Sequence, residues 1–156
     1  MINQEDEDCH TAIENYLIKK YGEVGKKIHA ARSRNDQVLT ALRLFEKDEL
    51  SKIKDLIQKF IDSLDWTIKK VGLVKIPGYT HMQKAMPTNI DIWLGSYKES
   101  MKDNLKIIES TLILIDQNPL GSAAGFGVPI FEINKEMTAK ELNFSKVMEK
   151  DRKSVV

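Results

Sequence analysis

Nine consecutive residues of this chain, His29-Ala30-Ala31-Arg32-Ser33-Arg34-Asn35-Asp36-Gln37, hold two guanidinium groups, one imidazole and four hydroxyl, amide or carboxylate groups. From Val38 onward the pattern changes to that of a long amphipathic helix. Polar groups bunched where a helix starts suit a small anionic ligand. The first backbone N–H groups of a helix have no partner inside it and favour negative charge. Arg32 and Arg34 each present a fork that matches a carboxylate. Asn35 both donates and accepts. Ser33, Asn35 and Asp36 are equally the residues of an ordinary N-terminal cap, and spacing alone does not separate the two readings.

A second polar cluster, Tyr79-Thr80-His81-Met82-Gln83, follows the turn signal Pro77-Gly78. An imidazole with an unperturbed pKa near 6.5 suits proton transfer near neutrality. A lone histidine in a connection is also an ordinary surface residue, and so is His10 at the start of a short helix. Cys9 is the only cysteine. It excludes an internal disulfide, and its acidic neighbours Glu7 and Asp8 disfavour a reactive thiolate. Gly121, Gly125 and Gly127 lie in a glycine-rich stretch. They are no dinucleotide fingerprint, because that must follow a strand and here a helix precedes it.

Long helices must carry these clusters. A short helix over 11–21 is capped by Asp8 or Thr11 and stopped by Gly22, and 22–28 is a basic connection. The first long helix spans about 33–71, with Val38, Leu42, Phe45, Leu50, Ile53, Leu56 and onward at spacings of three and four. At 1.5 Å per residue it is roughly 55–60 Å long. The second spans about 88–116, with Pro87 at its start. Its stripe of Ile90, Leu94, Tyr97, Met101, Leu105, Ile108, Leu112 and Ile115 steps by 4, 3, 4, 4, 3, 4 and 3, close to a heptad. A glycine-rich loop covers 118–130 and a short helix about 134–142, capped by Asn134. No strand-like alternation stands out. The expected fold class is all-α, a single unit over 1–156 built on long antiparallel helices.

The chain has 156 residues, 24 Lys plus Arg against 23 Asp plus Glu, and a net charge of +1. That balance argues against a nucleic-acid partner. No apolar run approaches a membrane span, and the acidic start, Met1 to Asp8, is no signal peptide. A cytoplasmic protein is expected. Antiparallel packing separates the two clusters within one chain, so they meet only if several subunits bring helix ends together.

The motifs Asp6-Glu7-Asp8-Cys9-His10-Thr11-Ala12, His29 to Gln37 with Thr40 and Arg43-Leu44, Pro77 to Gln83 with Pro87, and Pro119-Leu120-Gly121-Ser122 occur in order. Together they closely resemble argininosuccinate lyase, of the fumarase and aspartase superfamily, up to about Phe144. The run Arg32 to Gln37 separates it from sister enzymes acting on adenylosuccinate or aspartate. The resemblance implies a cofactor-free, metal-free β-elimination of argininosuccinate to arginine and fumarate, in arginine biosynthesis. It implies that Asn35 and Thr80 bind substrate, with Ser33 and Arg34 close by. It makes His81 the acid/base residue and His10 and Gln83 supporting groups. It also implies the family's homotetramer, assembled from five-helix domains, with sites shared between subunits.

The departures matter too. The family enzyme is far longer. Its N-terminal domain supplies a substrate-binding Ser, and a mobile Ser-Ser-x-Met-Pro-x-Lys-x-Asn loop carries the catalytic Ser. The resemblance makes this sequence a central stretch lacking both, inactive by itself. Ala41 stands where Asp is common, and Met86 where Gln is common. The alternative reading is a non-catalytic helical oligomerisation module with the same fold.

Overall fold

The computed structural model describes residues 7–149. Most of the acidic start (1–6) and the end of the stretch beyond the resemblance (150–156) lie outside them. The chain divides into two compact units, Met1–Phe45 with Asp116–Val156, and Glu46–Ile115.

In the first unit, helix α1 is Cys9–Tyr21. It begins two residues before the expected start because Asp8 is the cap, its carboxylate accepting the Thr11 N–H at 2.8 Å. The expected connection is a 3-10 helix, Gly22–His29, that packs back on α1. A Cβ at Gly25 would come within 2.5 Å of the Leu17 backbone, so only glycine allows this approach. Helix α2, Arg34–Val71, starts one residue after the expected position. Ser33 caps it. Its carbonyl accepts the Gln37 N–H at 3.1 Å and its Oγ the Asn35 N–H at 3.2 Å. Its own N–H donates to Asp36 Oδ1 at 2.9 Å, the reciprocal half of a capping box.

Beyond residue 115 the first unit continues with strand β3 (Gln117–Asn118), helix α4 (Lys135–Glu141) and strand β4 (Lys146–Val147). Strands β3 and β4 pair in parallel. Asn134 caps α4 as expected, accepting the Met137 N–H at 2.8 Å. Asn118 is buried and fastens three segments. Its Nδ2 donates to Thr138 Oγ1 at 2.9 Å and its Oδ1 accepts from Leu120 N at 3.1 Å. Its carbonyl accepts from Met148 N at 3.0 Å. Ala123, Ala139, Phe144 and Met148 form the buried apolar centre.

The second unit holds the rest of α2, strands β1 (Lys75–Thr80) and β2 (Gln83–Asn89), and helix α3 (Ile90–Ile115). The absence of strands expected from the sequence is corrected here. Strands β1 and β2 form an antiparallel hairpin, with Lys75 opposite Asn89 and Thr80 opposite Gln83. Two prolines hid it: Pro77 and Pro87 lie opposite one another, and neither can donate to the ladder. The register shifts between Pro77 and Tyr79. There Gly78 passes so close to Met86 that a Cβ would sit 2.5 Å from its carbonyl oxygen.

Pro87 therefore belongs to β2 and does not start α3, which begins at Ile90, capped by Asn89 accepting the Ile92 N–H at 2.8 Å. Helices α2 and α3 run antiparallel. Lys54 pairs with Glu109 at 2.8 Å, and Asp65 with Lys98, so rising numbers on one meet falling numbers on the other. Ile61 and Leu64 are buried on α2. Among the described residues no helix is long and apolar enough to cross a membrane.

Candidate functional site

The residues singled out by sequence fall into two groups, one in each compact unit. In the first unit, Ser33 and Asn35 stand at the start of α2. Asn35 is exposed on the first turn, while the Ser33 hydroxyl is occupied in capping. Arg34 differs from its expected role as a carboxylate grip for a ligand. Its Nη1 donates to Asp8 Oδ2 at 2.8 Å and contacts Glu7 Oε2 at 2.9 Å. Its Nη2 donates to Thr11 Oγ1 at 2.7 Å. The guanidinium is a strut between α1 and α2. The Thr11 backbone N–H, assisted by the Thr11 hydroxyl and the Arg34 charge, holds Asp8 below the usual carboxylate range, against the opposing effect of burial.

Asp36 was legible in the sequence only as a capping residue. It is wholly buried, and its Oδ2 accepts the N–H groups of Gly121 at 3.0 Å and Ala123 at 2.8 Å. One carboxylate thus anchors both the start of α2 and the glycine-rich loop. No sequence signal links residues 85 positions apart. Arg43 reinforces the junction by donating to the Gln117 carbonyl.

His10 is half-buried on α1 and lines a cleft of about 520 Å³ with His29, Arg32 and Gln37. His29 Nδ1 lies 2.9 Å from Glu14 Oε2. Cys9 is exposed.

In the second unit, Thr80, His81 and Gln83 sit at the tip of the β1–β2 hairpin, all exposed. His81 and Met82 form the two-residue connection, with φ of 50° and 63°. Both are in the left-handed region, the geometry of the hairpin turn usually filled by Asn-Gly. Holding side-chain-bearing residues there costs about 1–2 kcal/mol each. Such strain collects at binding and catalytic positions. The turn presents the imidazole outward, with Thr80 beside it as an alcohol donor and acceptor.

Comparison with known proteins adds to this geometry. Over 146 residues the chain is 60% identical to the argininosuccinate lyase of Thermotoga neapolitana, covering 94% of this chain and 36% of that protein. It is 40% identical over 144 residues to the argininosuccinate lyase of Parabacteroides distasonis, covering 92% and 32%. The chain thus spans about a third of the length of the curated relatives it matches. The crystal structure of EDDS lyase in complex with formate matches at a TM-score of 0.82 and 25% identity, over 88% of this chain and 27% of that one. A variant of EDDS lyase with bound fumarate matches at a TM-score of 0.83, also with 25% identity and the same coverage. The model of the Lyase_1 family, described as lyase, matches residues 1–155, and the chain belongs to that family.

Proposed function

We propose that this chain carries two regions of an argininosuccinate lyase site, at Ser33–Asn35 and Thr80–Gln83. The observation that carries the reading is the 60% identity with the Thermotoga neapolitana enzyme. Argininosuccinate loses a proton from the carbon beside a carboxylate. The electron pair forms the fumarate double bond as the carbon–nitrogen bond breaks, and arginine leaves after its nitrogen is protonated. Asn35 and Thr80 hold the substrate's polar groups, and hydrogen-bond donors stabilise the charge that builds on the carboxylate. His81 moves a proton. The exposure of both groups in the single chain fits a site completed by neighbouring subunits of a homo-oligomer, a tetramer in this reading. The EDDS lyase variant with bound fumarate adds support from a structural relative. Cytoplasmic arginine biosynthesis is the setting.

The 156 residues contain no Ser-Ser-x-Met-Pro run. The isolated chain is therefore expected to show little or no turnover. The alternative, a helical oligomerisation module, draws on the exposed apolar residues of α2 and α3.

The test is fumarate release from argininosuccinate, followed by ultraviolet absorbance, with His81→Asn as control. A parallel titration follows the NMR signals of His81 and Asn35 with arginine and fumarate. Shifts at those residues without turnover are expected. No shift at millimolar ligand would leave the module reading.

A further inference from the structure

Met82 completes the two-residue turn of the β1–β2 hairpin at φ 63°. Asn-Gly would form such a turn with less strain. The methionine side chain contributes no packing in exchange, because the residue is 97% exposed. Its thioether is the most open among the described methionines. Met86 is 74% exposed and Met137 57%, while Met101 is half-buried and Met148 buried. Susceptibility of a sulfur to oxidation rises with its exposure.

We infer that Met82 is an oxidation site whose sulfoxide acts on His81. The oxidant is a hydroperoxide. The sulfur lone pair attacks the terminal oxygen, and the S–O bond forms as the O–O bond breaks. The proton of the transferred oxygen passes to the leaving oxygen, which departs as water or an alcohol. Sulfur gives up two electrons and the peroxide takes two. The product is polar, chiral and a strong hydrogen-bond acceptor, where the thioether was apolar and a weak one. His81 precedes Met82 across a trans peptide, so their Cα atoms are about 3.8 Å apart. Thr80 pairs with Gln83 at the base of the turn and holds the backbone. The flexible Met82 side chain brings the sulfoxide oxygen to the imidazole N–H, which donates to it. That bond occupies the group His81 uses for proton transfer, a consequence that rests on the lyase reading. The oxidation and its effect on the imidazole do not rest on it. Methionine sulfoxide reductases, one for each sulfoxide epimer, restore the thioether.

The test treats the full 156-residue chain with hydrogen peroxide, after alkylation of the exposed Cys9. Peptide mass spectrometry times the sulfoxide at each methionine, and NMR follows the His81 Cε1–Hε1 signal. Neither readout uses turnover, so both remain decisive if the lyase reading fails. Met82 should be oxidised first among the methionines. New His81 peaks should grow in step with its sulfoxide, one for each epimer, and vanish after treatment with the two reductases. Met82→Leu should keep the original His81 peak under peroxide, and Met86→Leu should leave the response intact. Should Met82→Leu disturb the turn, the wild-type time courses still decide. Sulfoxide at Met82 with an unmoved His81 peak would overturn the inference. So would Met86 or Met137 reacting before Met82, or the same peak shift in a folded Met82→Leu.

Discussion

The carboxylate of Asp36 accepts the N–H of Gly121 at 3.0 Å, tying the first turn of α2 to a loop 85 residues away. The same oxygen takes Ala123 N, and the other takes Ser33 N. Hydrogen bonds to a charged acceptor contribute about 1.5–3 kcal/mol each. Asp36→Asn removes the charge and turns an NH2 toward one of these N–H donors. It should lower unfolding stability by about 3 kcal/mol. The loop 119–127 should become the first site of limited proteolysis. An unchanged urea midpoint would show that the loop is held by other contacts.

Backbone strain gives a gain in the opposite direction. Met82 at φ 63° and Ala31 at φ 55° occupy a region that glycine enters freely. Met82→Gly and Ala31→Gly should each stabilise the chain by about 0.5–1 kcal/mol, offset in part by a looser unfolded state. His81→Asn should leave the hairpin intact, because asparagine tolerates φ near 50°. Thermal melts check all three. A drop in melting temperature for Met82→Gly would contradict the strain account and weaken the hairpin description.

The helices were legible because their signals are local. Stripes at spacings of three and four, Asp8, Ser33 and Asn134 as caps, and Gly22 as a stop placed α1, α2, α3 and α4 within about two residues. The hairpin was not legible because nothing local announces it. It has prolines on both strands and a His-Met turn where Asn-Gly is the usual signal. The polar residues were recognisable as a cluster, but not their partners. Arg34 finds Asp8 across 26 residues, and Asp36 finds Ala123 across 87. Such pairings follow from tertiary packing, which residue type and spacing do not encode.

Acid and base should act on different groups. Asp8 has its folded pKa lowered, first by the Thr11 N–H. Its contribution is therefore full above the ordinary value of 3.8 and is lost as pH falls below that toward the folded value. Lys98 has its pKa raised by Asp65. Its contribution is full below 10.5 and is lost as pH rises beyond that. Asp8→Asn should flatten the stability profile below pH 3.8 and leave the alkaline limb unchanged. Lys98→Gln should flatten the alkaline limb, and part of the acid limb with it, because the Lys98 hydrogen bond is also what lowers the pKa of Asp65. Melting temperatures from pH 2.5 to 11.5 test both, and an acid limb unaltered in Asp8→Asn would remove that carboxylate from the account.

Helix α3 carries Trp93, Tyr97, Ile107 and Leu114 exposed on its surface, with Ile107 at 64%. Residues 93, 107 and 114 are multiples of seven apart, so they lie on one face of the helix. Helix α2 exposes Ile53, Leu56 and Phe60 at the same kind of spacing. Scattered exposed apolar residues are ordinary, but a stripe along a helix marks an interface. Fully burying one such side chain contributes roughly 1.5–3 kcal/mol. Several per chain offset the entropy lost on association. The chain should therefore be oligomeric at micromolar concentration. Ile107→Lys combined with Leu114→Lys should shift it toward monomer with its helical circular dichroism retained. Size-exclusion with light scattering reads the outcome. A wild-type monomer at that concentration would sink both the shared-site reading and the oligomerisation alternative. Unchanged mass in the double variant would move the interface to α2.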